Sequence, residues 1–184
     1  MKFKIAAIVM ASLLAGCSPS GSLPSLGLSA EESSYRLGSG DQLKITVYGE
    51  ERLTGTFPVN GQGSIAFPLL GEVPASGKTP RELELQLASG LSEGFVNNPS
   101  VNVEVANFRP YYILGEVTKP GEYQFTDGLT VFSAVARAGG FTYRADQKRI
   151  YIHHKSANEE KLYRLEGNTP VQPGDTIRVD ERIF

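Results

Sequence analysis

Thr79-Pro80-Arg81-Glu82-Leu83-Glu84-Leu85-Gln86-Leu87, running on through Leu91 and Gly94 to Val101-Asn102-Val103-Glu104-Val105, puts one helix next to one strand. Thr79 is a capping residue, Pro80 falls at the first helical position, and Glu82 completes a capping box. Leu83, Leu87 and Leu91 recur at i, i+4 and i+8 and line one apolar stripe, and Gly94 is placed to end the helix. Beyond Pro99 the period changes to two: Val101, Val103 and Val105 alternate with Asn102, Glu104 and Ala106, the pattern of a half-buried strand.

The same alternation extends on both sides. Leu43, Ile45 and Val47 alternate with Lys44, Thr46 and Tyr48. Strand-like runs at 56–59 and 64–67 bracket Asn60-Gly61, which predicts a hairpin because both residues tolerate positive φ. Downstream, 111–117 and 122–125 flank a Lys119-Pro120-Gly121 turn. Thr130 caps a short helix carrying Val131, Phe132, Val135 and Ala138, which Gly139-Gly140 stops. Strands follow at 149–153, 162–165 and 176–179, with Pro173-Gly174-Asp175 turning into the last. The expected class is α+β: a β-rich domain with one helix over 35–108, then a β-grasp domain over 109–184.

The N-terminus reads as an address. Lys2 and Lys4 precede an apolar run from Ile5 to Ala15, too short for the roughly 20 residues of a membrane-spanning helix. Residues 1–16 are therefore expected to be a signal peptide cleaved between Gly16 and Cys17. Cys17 is the sole cysteine, and an exported lone thiol would be a liability in an oxidising compartment. Residues 17–34, rich in Ser with Pro19, Pro24, Gly21 and Gly27, read as a flexible tether. After cleavage sixteen basic residues face twenty acidic ones, a net charge near −4 that argues against nucleic acid.

Leu14-Ala15-Gly16-Cys17 resembles a bacterial lipobox, which implies acylation of Cys17 by palmitate-like chains, and Ser18 after it implies the outer membrane. The segments Tyr35 to Tyr48, Val59 to Val73 and Asn98 to Val103 resemble the outer-membrane polysaccharide export family. Leu114-Gly115-Glu116-Val117, Pro120-Gly121, Ala138-Gly139-Gly140-Phe141 and Pro173-Gly174-Asp175 resemble a soluble-ligand-binding β-grasp (SLBB) domain. The likeness is collinear over about 150 residues, from Tyr35 to Phe184. It implies a periplasm-facing lipoprotein that conducts exopolysaccharide or capsule as a homo-oligomeric ring, an octamer in longer members. Its implied partners are the polysaccharide, an inner-membrane co-polymerase or tyrosine kinase, and a separate outer-membrane β-barrel. The barrel is expected because the chain stops at Phe184 without the C-terminal membrane-crossing helix of longer members. From another class, a monomeric periplasmic glycan-binding or sensing module is the alternative.

Catalysis, metals and cofactors are not expected. Gly71 to Thr79 mimics a phosphate-binding loop, but five residues separate Gly71 from Gly77-Lys78-Thr79 where four are needed, and Pro74 removes a donor. His153 and His154 point to opposite faces of a strand and so cannot readily share a metal. The neighbouring pairs Glu31/Glu32, Glu50/Glu51 and Glu159/Glu160 do not present carboxylates across a sugar. Tyr111, Tyr112, Tyr123, Phe125, Phe132 and Phe141 are expected mainly in the core, with sugar stacking the competing reading.

Overall fold

The computed structural model describes residues 35–155, 157 and 159–183. The leader, Cys17 and the tether lie outside the described residues.

In the first half, β1 (Gln42–Val47) lies between β2 (Gly55–Pro58) and β5 (Val101–Asn107) in a three-stranded antiparallel sheet. A separate hairpin pairs β3 (Ser64–Phe67) with β4 (Gly71–Pro74). The expected alternation holds: Leu43, Ile45 and Val47 are buried and Lys44 is exposed. Helix α1 (Pro80–Ser92) buries Leu83, Leu87 and Leu91 on that core, together with Ile65, Phe67 and Val103.

Both hydrogen bonds of the capping box form. Thr79 Oγ1 accepts from the Glu82 amide, and the Glu82 carboxylate accepts from the Thr79 amide at 2.7 Å. That amide bond holds the Glu82 carboxyl below its ordinary pKa. Thr79→Ala is expected to lower the unfolding free energy by about 1 kcal/mol, read from urea denaturation. Glu84, one turn on, accepts from the Val103 amide at 3.0 Å and so ties α1 to the outer strand of the sheet.

The Asn60-Gly61 expectation needs correcting. β2 and β3 do not pair; the segment carries the chain from one sheet to another. Asn60 Oδ1 accepts from the amides of Gln62 and Ser64, and positive φ falls at Gly63 (82°). An Asn side chain that caps its own loop competes with the two-residue hairpin geometry, and here it wins.

The second half contains β6 (Tyr111–Gly115), β7 (Gly121–Tyr123), α2 (Val131–Arg137), β8 (Arg149–His153), β9 (Lys161–Arg164) and β10 (Thr176–Val179). The sheet order is β7-β6-β10-β8-β9, with β10 parallel to β6 and the other pairs antiparallel. The last strand thus enters the middle of the sheet and one helix covers one face, a β-grasp arrangement. Val131, Ala134 and Val135 of α2 pack on Tyr111, Ile113, Ile150, Ile152 and Ile177. Thr130 accepts from the Ser133 amide, and Gly139 and Gly140 carry the positive φ that ends the helix.

Two aromatic expectations fail. Tyr112 and Phe132 are 42% and 43% exposed, because each faces away from the α2–sheet core. The strand predicted over 111–117 ends at Gly115, where φ turns to 86°.

Asp146 is buried between the α2 loop and β8. Burial alone would raise its pKa, but hydrogen bonds from the Lys148 amide (2.8 Å) and Arg149 Nε (2.7 Å) outweigh it and bring the carboxyl below its ordinary value. A depressed folded-state pKa stabilises above the unfolded value, near 3.9, and the contribution vanishes as pH falls through the folded value. Asp146→Asn is therefore expected to flatten the acid side of the stability curve below about pH 4, measured by denaturant midpoints across pH.

Candidate functional site

One four-residue turn occurs twice. In Gly38-Ser39-Gly40-Asp41 the Asp41 amide donates to the Gly38 carbonyl, and Asp41 Oδ2 accepts from the Gly38 amide at 2.7 Å. In Gln172-Pro173-Gly174-Asp175 the Asp175 amide donates to the Gln172 carbonyl, and Asp175 Oδ2 accepts from the Gln172 amide at 2.8 Å. Gly40 and Gly174 take φ of 101° and 86°, and both aspartates are buried. Each turn launches a central strand, β1 and β10 respectively. A carboxylate that closes its own turn starts the strand in one conformation.

Arg109, in the connection between β5 and β6, joins the two turns. Its amide donates to Asp41 Oδ1 at 3.0 Å and its Nη1 to Asp41 Oδ2 at 3.2 Å. Nη1 also reaches the Tyr35 hydroxyl at 3.0 Å, and Nε donates to the Pro173 carbonyl at 2.9 Å. The Tyr35 hydroxyl in turn donates to Asp41. Burial first, and the Asp41 carboxylate next, raise the Tyr35 pKa, so the phenol stays protonated as a donor. Asp41 thus accepts from two amides, a phenol and a guanidinium, the set of partners a fully buried carboxylate needs.

A side chain added on either side would crowd this guanidinium. A Cβ at residue 38 would stand 2.4 Å from Arg109 Nη1, and one at residue 174 would stand 2.8 Å from Nε. The guanidinium passes through a slot that two missing side chains leave open. The Gly174 amide also donates to the Pro110 carbonyl, and the Tyr112 amide to the Asp175 carbonyl. Arg109 thus fastens the first sheet system to the β-grasp sheet through a buried, charge-assisted clasp.

Beside the clasp lies an open groove of about 440 Å³. Its floor is a cross-strand row on the face of the β-grasp sheet opposite α2: Tyr112, Thr176 and His153, in register across β6, β10 and β8. Ser39 and Gly40 contribute one wall and Lys155 another, with Lys155 Nζ 3.3 Å from the Ser39 carbonyl. A second row on the same face carries Leu114, Arg178 and Tyr151, and the Arg178 guanidinium lies 3.9 Å from the Tyr151 ring centre.

Of the side chains weighed for chemistry, Tyr112 and His153 line this groove and the others fall outside it. His154 Nδ1 sits 2.8 Å from Asp175 Oδ1, while His153 Nε2 lies 3.1 Å from the Ala157 carbonyl. Among the described residues no group of three or more His, Cys, Asp or Glu side chains is arranged to hold a metal. Gly71–Pro74 is β4, paired with β3, and the Thr79 hydroxyl is engaged in its cap. Glu160 pairs with Arg178. Gly16 and Cys17 lie outside the described residues. Sequence reasoning missed Asp41, Arg109 and Asp175. The available signal was Gly-Asp repeated at 40–41 and 174–175, each directly before an alternating strand.

Residues 29–106 match the polysaccharide biosynthesis/export protein family, and residues 110–166 match the SLBB domain. The exopolysaccharide production protein ExoF of Rhizobium meliloti (strain 1021) is 36% identical over 148 residues, covering 74% of this chain and 35% of that protein. The EPS I polysaccharide export outer membrane protein EpsA of Ralstonia nicotianae is 28% identical, covering 84% of this chain and 49% of its own length. The polysialic acid transport protein KpsD of Escherichia coli is 26% identical over 58% of this chain and 19% of its own. The chain spans less than half the length of each of these relatives. With both domains matched in tandem and in the order of the two sheet systems, the chain belongs to the polysaccharide biosynthesis/export protein family, its export domain followed by an SLBB domain.

Proposed function

We propose that this protein exports polysaccharide from the periplasm across the outer membrane as a lipid-anchored, ring-forming subunit. The observation that carries the reading is the tandem of export and SLBB domains, shared in part with proteins named for exopolysaccharide production, polysaccharide export and polysialic acid transport. In this reading residues 1–16 are removed, Cys17 carries the acyl chains, 17–34 form the tether, and the export and SLBB domains divide after residue 108. Several acyl chains, at about 0.8 kcal/mol per buried CH₂, hold the protein at the membrane stably. The polymer comes from an inner-membrane co-polymerase and leaves through an outer-membrane β-barrel.

The Arg109 clasp supports the ring part of this proposal. Head-to-tail contacts close only if every subunit repeats the same rotation. That requires a constant angle between the two sheet systems, and Arg109 restrains it by pairing with Asp41 on one side and bonding the Pro173 carbonyl on the other.

Cys17→Ser tests the anchor. Cells carrying it in place of the wild-type gene are expected to export polymer at the level of the deletion strain, measured as uronic acid or hexose in the extracellular fraction. Wild-type export from the variant would contradict the lipid-anchored reading.

A further inference from the structure

We infer that the groove beside the clasp is a contact site for an acidic sugar residue, with Tyr112 as its stacking platform and Lys155 as its cation. This rests on the polysaccharide reading above and adds the substrate class.

Three observations carry it. Tyr112 is 42% exposed although it belongs to the second strand of a five-stranded sheet. A pyranose presents a flat C–H face edged with hydroxyls, and an exposed phenol offers a ring for the face and a polar tip for the edge. Thr176 and His153 continue the row in register, so polar groups flank the ring at the spacing of neighbouring strands.

Charge chooses between neutral and acidic sugars. The protein carries more acidic than basic residues, yet the groove is lined by Arg109 and Lys155 and by no carboxylate. Arg109 is occupied by Asp41 and Pro173. Lys155 is exposed and its ammonium bonds the Ser39 carbonyl at 3.3 Å, so among the described residues it keeps N–H donors to meet a sugar carboxylate. Glu122 of β7 is the cross-strand partner of Tyr112 on the same face of the sheet and is not part of the groove lining. An exposed ion pair adds little affinity, which suits a polymer that must move on.

The test uses full-length, lipidated protein in a sugar-free detergent, titrated calorimetrically with tetragalacturonate and with maltotetraose. Tetragalacturonate is expected to bind and to weaken as salt rises, while maltotetraose binds less tightly and without salt dependence. Tyr112→Ala is expected to lower tetragalacturonate affinity about tenfold and Lys155→Gln about threefold. Both side chains are exposed, and unchanged thermal unfolding confirms that the variants are folded. Absence of tetragalacturonate binding, equal binding of the two tetramers, or indifference to both substitutions would each overturn the inference. Export in cells separates it from the broader reading. If deletion abolishes export while the groove ignores both tetramers, only the groove assignment falls; if deletion leaves export intact, the export reading falls with it.

Discussion

Arg109→Ala is expected to lower the unfolding free energy by about 3 kcal/mol, because it leaves Asp41 charged, buried and short of its cation. Chemical denaturation followed by circular dichroism measures it. The Asp41 side chain is fully buried and that of Arg109 only 16% exposed, so solvent cannot replace the lost partner. The alanine also removes the bonds to Tyr35 and to the Pro173 carbonyl, the latter spanning the two sheet systems. Adding Asp41→Asn should recover part of the loss, since the uncompensated charge is then gone. Arg109→Lys should recover little. An ammonium cannot serve Pro173, Tyr35 and Asp41 from the positions of a planar fork. A loss under about 0.5 kcal/mol for Arg109→Ala, the level of an ordinary surface substitution, would contradict the clasp.

Gly115→Ala carries the other large effect. Gly115 ends β6 at φ 86°, and a Cβ there would stand 2.0 Å from the Val179 carbonyl oxygen of β10. Backbone cannot swing aside as a flexible side chain can. The added methyl must force apart the parallel pair at the centre of the five-stranded sheet, where the Glu116 amide bonds that same carbonyl. The left-handed conformation costs a non-glycine residue about 1–2 kcal/mol, and displacement of the strand adds to it. A total loss of about 3 kcal/mol or more is expected, visible as a lower thermal midpoint. Gly128→Ala is the control. Gly128 also has positive φ (72°) but open space around its Cβ position, so only the conformational part of the loss should appear.

Most secondary elements were readable in the sequence because each carried a local physical signature. Thr79-Pro80-Arg81-Glu82 contains its own cap, and the Leu83, Leu87, Leu91 stripe needs only one buried face. Leu43, Ile45 and Val47, and again Ile177 and Val179, alternate because one side of each strand faces a core. The failures were long-range. Asn60-Gly61 looked like a hairpin because turn chemistry is local, whereas the choice of a different sheet for β3 is made by distant packing. Tyr112 and Phe132 looked like core because aromatic spacing does not say which face of the sheet α2 will cover or which side of α2 will face the sheet. The clasp was hidden for the same reason: Tyr35, Asp41, Arg109 and Pro173 are spread over more than half the chain. The repeated Gly-Asp before β1 and β10 was its only local trace.

In the proposed function, copies of this lipidated chain, each held by its clasp, close around a hydrated passage. The most direct measurement is the mass of the protein extracted from membranes in detergent, by native mass spectrometry, with wild type and Arg109→Ala compared. A clasp-dependent ring predicts a single closed oligomer for the wild type and its loss in the variant. Wild-type protein found only as single subunits would contradict it.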